Sequence, residues 1–223
     1  MTKTVSRSGW AGEKGVFEGD FAVDIDFAFW AKKYREGYEG EIEYKERSGR
    51  IRVERSPTFE RISRDLRRKG YLEELDFVNI CSWKTKRQKK RYAKNSRGRV
   101  EKISRNMMAG QRGPEELIKE LIELNGVGVP VATAIMTVVF PQKYCIVDYR
   151  ASRAFLWLVS RRRNFGKYRE YLSLMDRFRN YASVEFYAEY LEKIKRWASK
   201  RRMTAREVEM ALWKYDEEEG KAE

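Results

Sequence analysis

From Thr58 almost to the end of the chain, apolar residues return every three or four positions, the period of helices that bury one face. Phe59, Ile62 and Leu66 make a first stripe, and Leu72, Leu75, Val78 and the run Ile80 to Trp83 make a second. Gly70 separates the two, and Gly110-Gln111-Arg112-Gly113 reads as a further break. Pro114 suits the first turn of the next helix, whose stripe is Leu117, Leu121 and Leu124. After Pro141 and the short run Tyr144-Cys145-Ile146-Val147, another helix is expected to start at Asp148. Ser183 reads as a helix cap ahead of Tyr187, Tyr190, Leu191, Ile194 and Trp197. Thr204 and Glu207 have the spacing of a capping box before Val208, Ala211, Leu212 and Tyr215.

The first part of the chain is less regular. Residues 1–20 are glycine-rich and polar and read as an irregular arm. Within 21–36, Phe27, Trp30 and Tyr34 fall on one face of an amphipathic helix. From Gly40, apolar and charged residues alternate around Ser48-Gly49, which fits a short β-hairpin or a solvated loop equally well. The pattern divides the chain into an arm, first helix and uncertain hairpin (1–57), a helical domain (58–215) with a tight turn inside 117–140, and an acidic tail (216–223) expected to fray. No internal repeat is visible.

Composition narrows the partners. Lysine and arginine number 48 against 34 acidic residues, a net charge of +14 that attracts polyanions and speeds encounter with them. With no histidine, imidazole acid–base chemistry and histidine metal ligation are excluded. Cys81 and Cys145 lie in no CxxC pair, so no side-chain metal site is spelled out and reduced, buried thiols in a cytoplasmic protein are expected. No apolar run approaches membrane-spanning length, so no membrane partner is expected. Abundant Lys, Arg and Glu beside three Gln fits a thermophile.

The candidate chemistry sits in residues 124–153. Gly126 and Gly128 flank one apolar residue in a turn between two helical patterns. Glycine allows positive φ and close backbone approach, and such a turn can aim successive amides at one phosphate where the next helix begins. Gly126, Val127, Gly128 and Val129 are the candidate phosphate-binding residues. Val127 can tuck between the helices, Ala132 is small enough for close packing, and Pro130 falls in the first turn, where its missing N–H costs little. An ordinary helix corner would need the same glycines. Twenty residues after Gly128 comes Asp148. It can cap the helix that starts there, act as a catalytic carboxylate, or do both.

The turn LNGVG with its small Ala132 resembles the helix-hairpin-helix family, and the segment through Asp148 resembles the helix-hairpin-helix base-excision DNA glycosylase superfamily. The resemblance covers about residues 72–158, including LDFVNICSWKTKR, KNSRGRVEKIS and IVDYRASRAFLW; TAREVEMALWKYD looks like the end of uncharacterised members, and residues 1–60 resemble nothing specific. It implies an all-α, two-lobed glycosylase-like fold, with or without a small N-terminal β-hairpin, acting as a monomer on duplex DNA. Asp148 would be the catalytic carboxylate in hydrolysis of the N-glycosidic bond of a damaged or mismatched base. Bifunctional members carry a lysine two residues after the second glycine; here that position is Pro130, which favours a monofunctional enzyme using water. Lys143, near Asp148 in sequence, is the substitute nucleophile to test. No cysteine follows Cys145, so the iron–sulfur loop of some members is not expected and no cofactor is, beyond Na+ or K+ at the hairpin backbone.

Around Trp83 and Tyr92 the stretch 83–95 packs seven cations, of which Lys84, Lys86 and Arg87, together with Arg153, are the named candidates for the DNA backbone. A solvated outer face explains the same run, and Arg153 could instead serve a structural pair. Trp10, Phe29, Trp30, Tyr144, Tyr149 and Trp157 are candidate walls for an extruded base, though most are expected in the core. The rival is a non-catalytic helix-hairpin-helix DNA-binding protein; an RNA-directed protein is a third reading.

Overall fold

A computed structural model describes residues 25–38, 42–45, 51–54, 57–159 and 180–220. The described residues are helical apart from one two-stranded antiparallel hairpin, β1 (Ile42–Lys45) with β2 (Ile51–Glu54), in the register Ile42 opposite Glu54 and Lys45 opposite Ile51. The alternation from Gly40 therefore forms strands; its Ser48-Gly49 centre lies outside the described residues. The helices are α1 (Phe27–Tyr38), α2 (Pro57–Lys69), α3 (Glu74–Lys84), the single turn α4 (Lys89–Tyr92), α5 (Arg97–Met108), α6 (Pro114–Leu121), α7 (Val129–Val139), α8 (Tyr149–Val159), α9 (Val184–Arg201) and α10 (Ala205–Glu219).

Helix α7 is the axis of the fold. Its sequence, VPVATAIMTVV, is apolar on every side, and every residue but Pro130 is buried. A helix without a polar face has to be covered all round. Helices α2, α3 and α6 pack against it, with α5 behind α3 and α6. A second group, α1, α8 and α9, gathers on α10, and α9 also touches α6. One continuous apolar core runs through both groups.

Local signals set most of the ends. Gly70, at φ 76°, closes α2, and its amide returns to Leu66 O at 2.7 Å. Ser183 caps α9 by accepting from Phe186 N at 3.0 Å. Thr204 and Glu207 complete the capping box of α10, with Glu207 N to Thr204 Oγ1 at 3.1 Å and Thr204 N to Glu207 Oε2 at 2.7 Å. Two boundaries differ from the sequence expectation. Helix α1 starts at Phe27, because Asp26 Oδ1 takes the Phe29 amide at 3.0 Å and caps the helix there. At the other end α10 continues through the expected tail to Glu219, and Asp216 is fully buried.

Candidate functional site

The turn between α6 and α7 is built around Gly126, whose φ of 83° lies in the left-handed region. A Cβ there would stand 3.0 Å from Arg91 Cβ and 3.0 Å from Tyr92 Cε1, so the glycine also admits α4 against the turn. Asn95 fixes the contact from the other side. Its Oδ1 accepts from Asn125 N at 2.7 Å, and its Nδ2 donates to Asn125 O at 3.1 Å and to Tyr92 O at 2.9 Å. Val127 is buried and its amide returns to Leu124 O at 3.1 Å. Gly128, exposed and with ordinary φ, caps α7 through its carbonyl, which accepts from Val131 N and Ala132 N. Among the described residues, the amides of Gly126, Gly128 and Val129 meet no acceptor. They are donors left at a helix N-terminus, the arrangement that suits an anion.

Cations ring this turn. Lys86, Arg87, Lys89, Lys90, Arg91 and Lys94 are all exposed, on or beside the α4 turn that packs against Gly126. Arg99 reaches over from α5 to Glu123 O at 2.7 Å. Lys84 is different. Its side chain is 14% exposed, and it turns inward from the end of α3 to form an ion pair with Asp148 Oδ2. The sequence placed Lys84 with the phosphate contacts; the fold places it with the carboxylate.

Asp148 is set by a clamp on the extended segment before it. Tyr187 Oη donates to Cys145 O at 3.0 Å and Tyr190 Oη to Ile146 O at 3.4 Å, both from α9. Thr133 Oγ1, in the second turn of α7, accepts the Val147 amide at 3.2 Å and donates to Pro130 O at 3.1 Å. The residue before Asp148 is thus tied to the helix that the glycine turn opens. The two oxygens of Asp148 divide the work. Oδ1 caps α8 by accepting from Arg150 N at 3.0 Å, while Oδ2 faces Lys84. The Asp148 side chain remains 22% exposed.

A second buried cluster stands behind this pair. Glu209 and Arg206 of α10 form an ion pair, and Arg206 Nη2 donates to Tyr34 Oη at 3.2 Å. Arg206 also lies 6.0 Å from the Trp83 ring. Burial pushes the Glu209 carboxyl above its ordinary value, against the pull of Arg206 and, more weakly, Lys84. Burial likewise raises the Tyr34 hydroxyl, opposed by Arg206. Five ionisable side chains therefore share one interior region, and buried charges are costly unless paired.

The remaining candidates are dispersed. Arg153 holds the buried Asp216 through Nε at 3.0 Å and Nη2 at 2.6 Å, and lies 4.6 Å over the Tyr149 ring, so it serves the structural pair. Lys143 places its ammonium 5.3 Å from the Phe140 ring. Trp30 meets Tyr215 edge-on, Trp157 stacks on Tyr215, and Tyr144 is buried against Phe140, so these rings belong to the packing. Trp83 packs edge-on against Phe59 at 4.8 Å. Tyr149 packs on Tyr181 at 5.5 Å beside Asp148, and Phe29 is exposed. Trp10 lies outside the described residues. Both cysteines are buried and free, and burial raises both thiols. Among the described residues no helix is long and apolar enough to cross a membrane.

Sequence reasoning missed Thr133, Asn95, Glu209 and Asp216. Thr133 carried a signal: a hydroxyl inside a helix that is apolar on all sides has to find a partner. Glu209 carried one too, as a carboxylate within the Val208 to Leu212 stripe with Arg206 one turn before it. Comparison of the chain with protein-family models, with curated proteins and with solved structures gives no match.

Proposed function

We propose that this protein is a DNA N-glycosylase, with a two-lobed helix-hairpin-helix arrangement in which the two helix groups flank a DNA-facing cleft. The open amides of Gly126, Gly128 and Val129 would take one phosphate of duplex DNA, the exposed cations from Lys86 to Lys94 would line the neighbouring backbone, and a Na+ or K+ ion at the turn would be compatible with the same geometry. Asp148 would face the deoxyribose. Loss of a base builds positive charge at C1′, and a carboxylate beside it stabilises that charge or activates water.

The observation that carries this reading is the Thr133 bridge between Pro130 O and Val147 N, which couples the position of Asp148 to the helix opened by the glycine turn. A phosphate grip and a carboxylate gain catalytic use from a fixed separation, because orientation lowers the barrier only when both ends are held. The cap made by Asp148 Oδ1 favours the rival, a duplex-binding protein without chemistry, since a helix cap alone explains an aspartate there. A panel of lesion-bearing duplexes separates the two. The enzyme reading expects alkali-labile sites from the wild type and a loss of about a hundredfold or more with Asp148→Asn. Duplex binding without base release from any lesion would leave the binder.

A further inference from the structure

We propose that Lys84 is an amine nucleophile, and that together with Asp148 it gives this protein a strand-cleaving activity on abasic deoxyribose in duplex DNA. The substrate class rests on the reading above; the pair of side chains does not.

Lys84 and Asp148 come from α3 and α8, 64 positions apart, and meet with their side chains 14% and 22% exposed. In a stretch where the other six cations of 84–94 are exposed, this one is turned inward onto a carboxylate. Stability does not explain the pair, because buried ions are commonly no better than apolar packing. The hairpin position that would hold an amine is Pro130, which has none. Reaction with a carbonyl carbon needs an amine and a nearby group to take its proton, and Lys84 Nζ with Asp148 Oδ2 supplies both. Each retains enough exposure to be reached by a substrate.

An abasic deoxyribose in its open form carries an aldehyde at C1′. The proton passes from Nζ to Oδ2, and the nitrogen lone pair adds to C1′ while the carbonyl π pair moves to oxygen. That oxygen takes protons and leaves as water, giving a C1′=N iminium. The iminium makes the C2′ hydrogen acidic. Asp148 accepts that proton, the C–H pair forms a C2′=C3′ bond, and the C3′–O bond breaks with its electrons on the departing 5′-phosphate strand. One water then hydrolyses the imine and frees Lys84, replacing the water lost earlier. No oxidant or reductant enters.

The test uses the full chain and a duplex with one abasic site, with sodium borohydride to reduce the imine to a stable amine. Wild type should give a covalent protein–DNA species whose modified peptide maps to Lys84. Lys84→Gln should abolish it while duplex binding persists, Asp148→Asn should slow it about a hundredfold or more, and Lys143→Gln should leave it unchanged. The Lys84→Gln/Asp148→Asn double variant, which buries no lone charge, covers the case in which the single variant misfolds; trapping by a folded double variant would overturn the proposal. So would a crosslink mapped to Lys143, or wild type that frees bases from the lesion panel yet traps nothing. That last result would leave the glycosylase reading standing as a water-using enzyme, whereas neither excision nor trapping would remove both.

Discussion

Gly126 and Gly128 stand two positions apart, and the fold asks different things of them. Gly126 combines φ 83° with a Cβ direction 3.0 Å from Arg91 Cβ and the Tyr92 ring, so Gly126→Ala should cost about 2 kcal/mol or more by backbone strain and crowding. Gly128 has ordinary φ, and the nearest atom to its Cβ direction is Pro130 Cδ at 4.0 Å. Gly128→Ala should therefore cost less than about 1 kcal/mol, the loss of a favourable cap residue, while weakening duplex binding if a phosphate approaches there. Thermal melting beside duplex titration separates the two effects; equal melting losses for both variants would contradict the geometry. Thr133→Val tests the clamp. It leaves the Val147 amide buried without its acceptor, so the denaturant midpoint should fall by an amount worth about 1–3 kcal/mol with the slope unchanged.

At the scale of elements, what could be read from the chain is what is decided locally. The Ser183 cap, the Thr204–Glu207 box and the Gly70 stop depend on residues within one turn, and each appears as expected. The 42–54 hairpin stayed open because alternating charge fits a loop as well as an exposed strand pair. The acidic end of α10 read as tail because nothing local shows that Asp216 meets Arg153 across 63 positions. The inward turn of Lys84 was hidden in the same way: a run of cations does not reveal which one packing will point at a carboxylate. The capping box also makes a pH prediction. Burial pushes the Glu207 carboxyl up, but the Thr204 amide, Arg35 and the Thr204 hydroxyl together hold it below its ordinary 4.5. A carboxyl held low in the folded state adds stability above its unfolded pKa and loses it as pH falls through the folded value. Wild type should exceed Glu207→Gln by about 1 kcal/mol near neutrality, with the gap closing between about pH 5 and about pH 3. Chemical denaturation of both proteins across that range checks it. Asp76 and Glu209, raised by burial against Arg61 and Arg206, lean the other way, and comparing the two proteins cancels them.

For the whole molecule, a charge of +14 promises affinity for any polyanion, so the sharper question is which cations carry it. The fold sorts them by surroundings. Lys89 and Lys90 are exposed on the short helix that packs beside Gly126, whereas Arg153 is spent on Asp216, with Arg150 as a second partner at 3.4 Å. Counterion release makes log affinity fall with log salt by about 0.9 for each phosphate neutralised. Lys89→Gln/Lys90→Gln should therefore flatten that slope by up to about 1.8 while leaving the melting temperature nearly unchanged. Arg153→Gln should do the reverse. It leaves a buried carboxylate with one partner, so stability should drop by about 3 kcal/mol while the slope of the surviving folded protein holds. Duplex titrations at several salt concentrations, run beside melting curves for both variants, check the pair of outcomes together. A flattened slope in the Arg153 variant would mean that this arginine reaches DNA despite Asp216. An unchanged slope in the double lysine variant would move the binding face away from the glycine turn, and Asp148 would lose the neighbouring grip that its proposed chemistry requires.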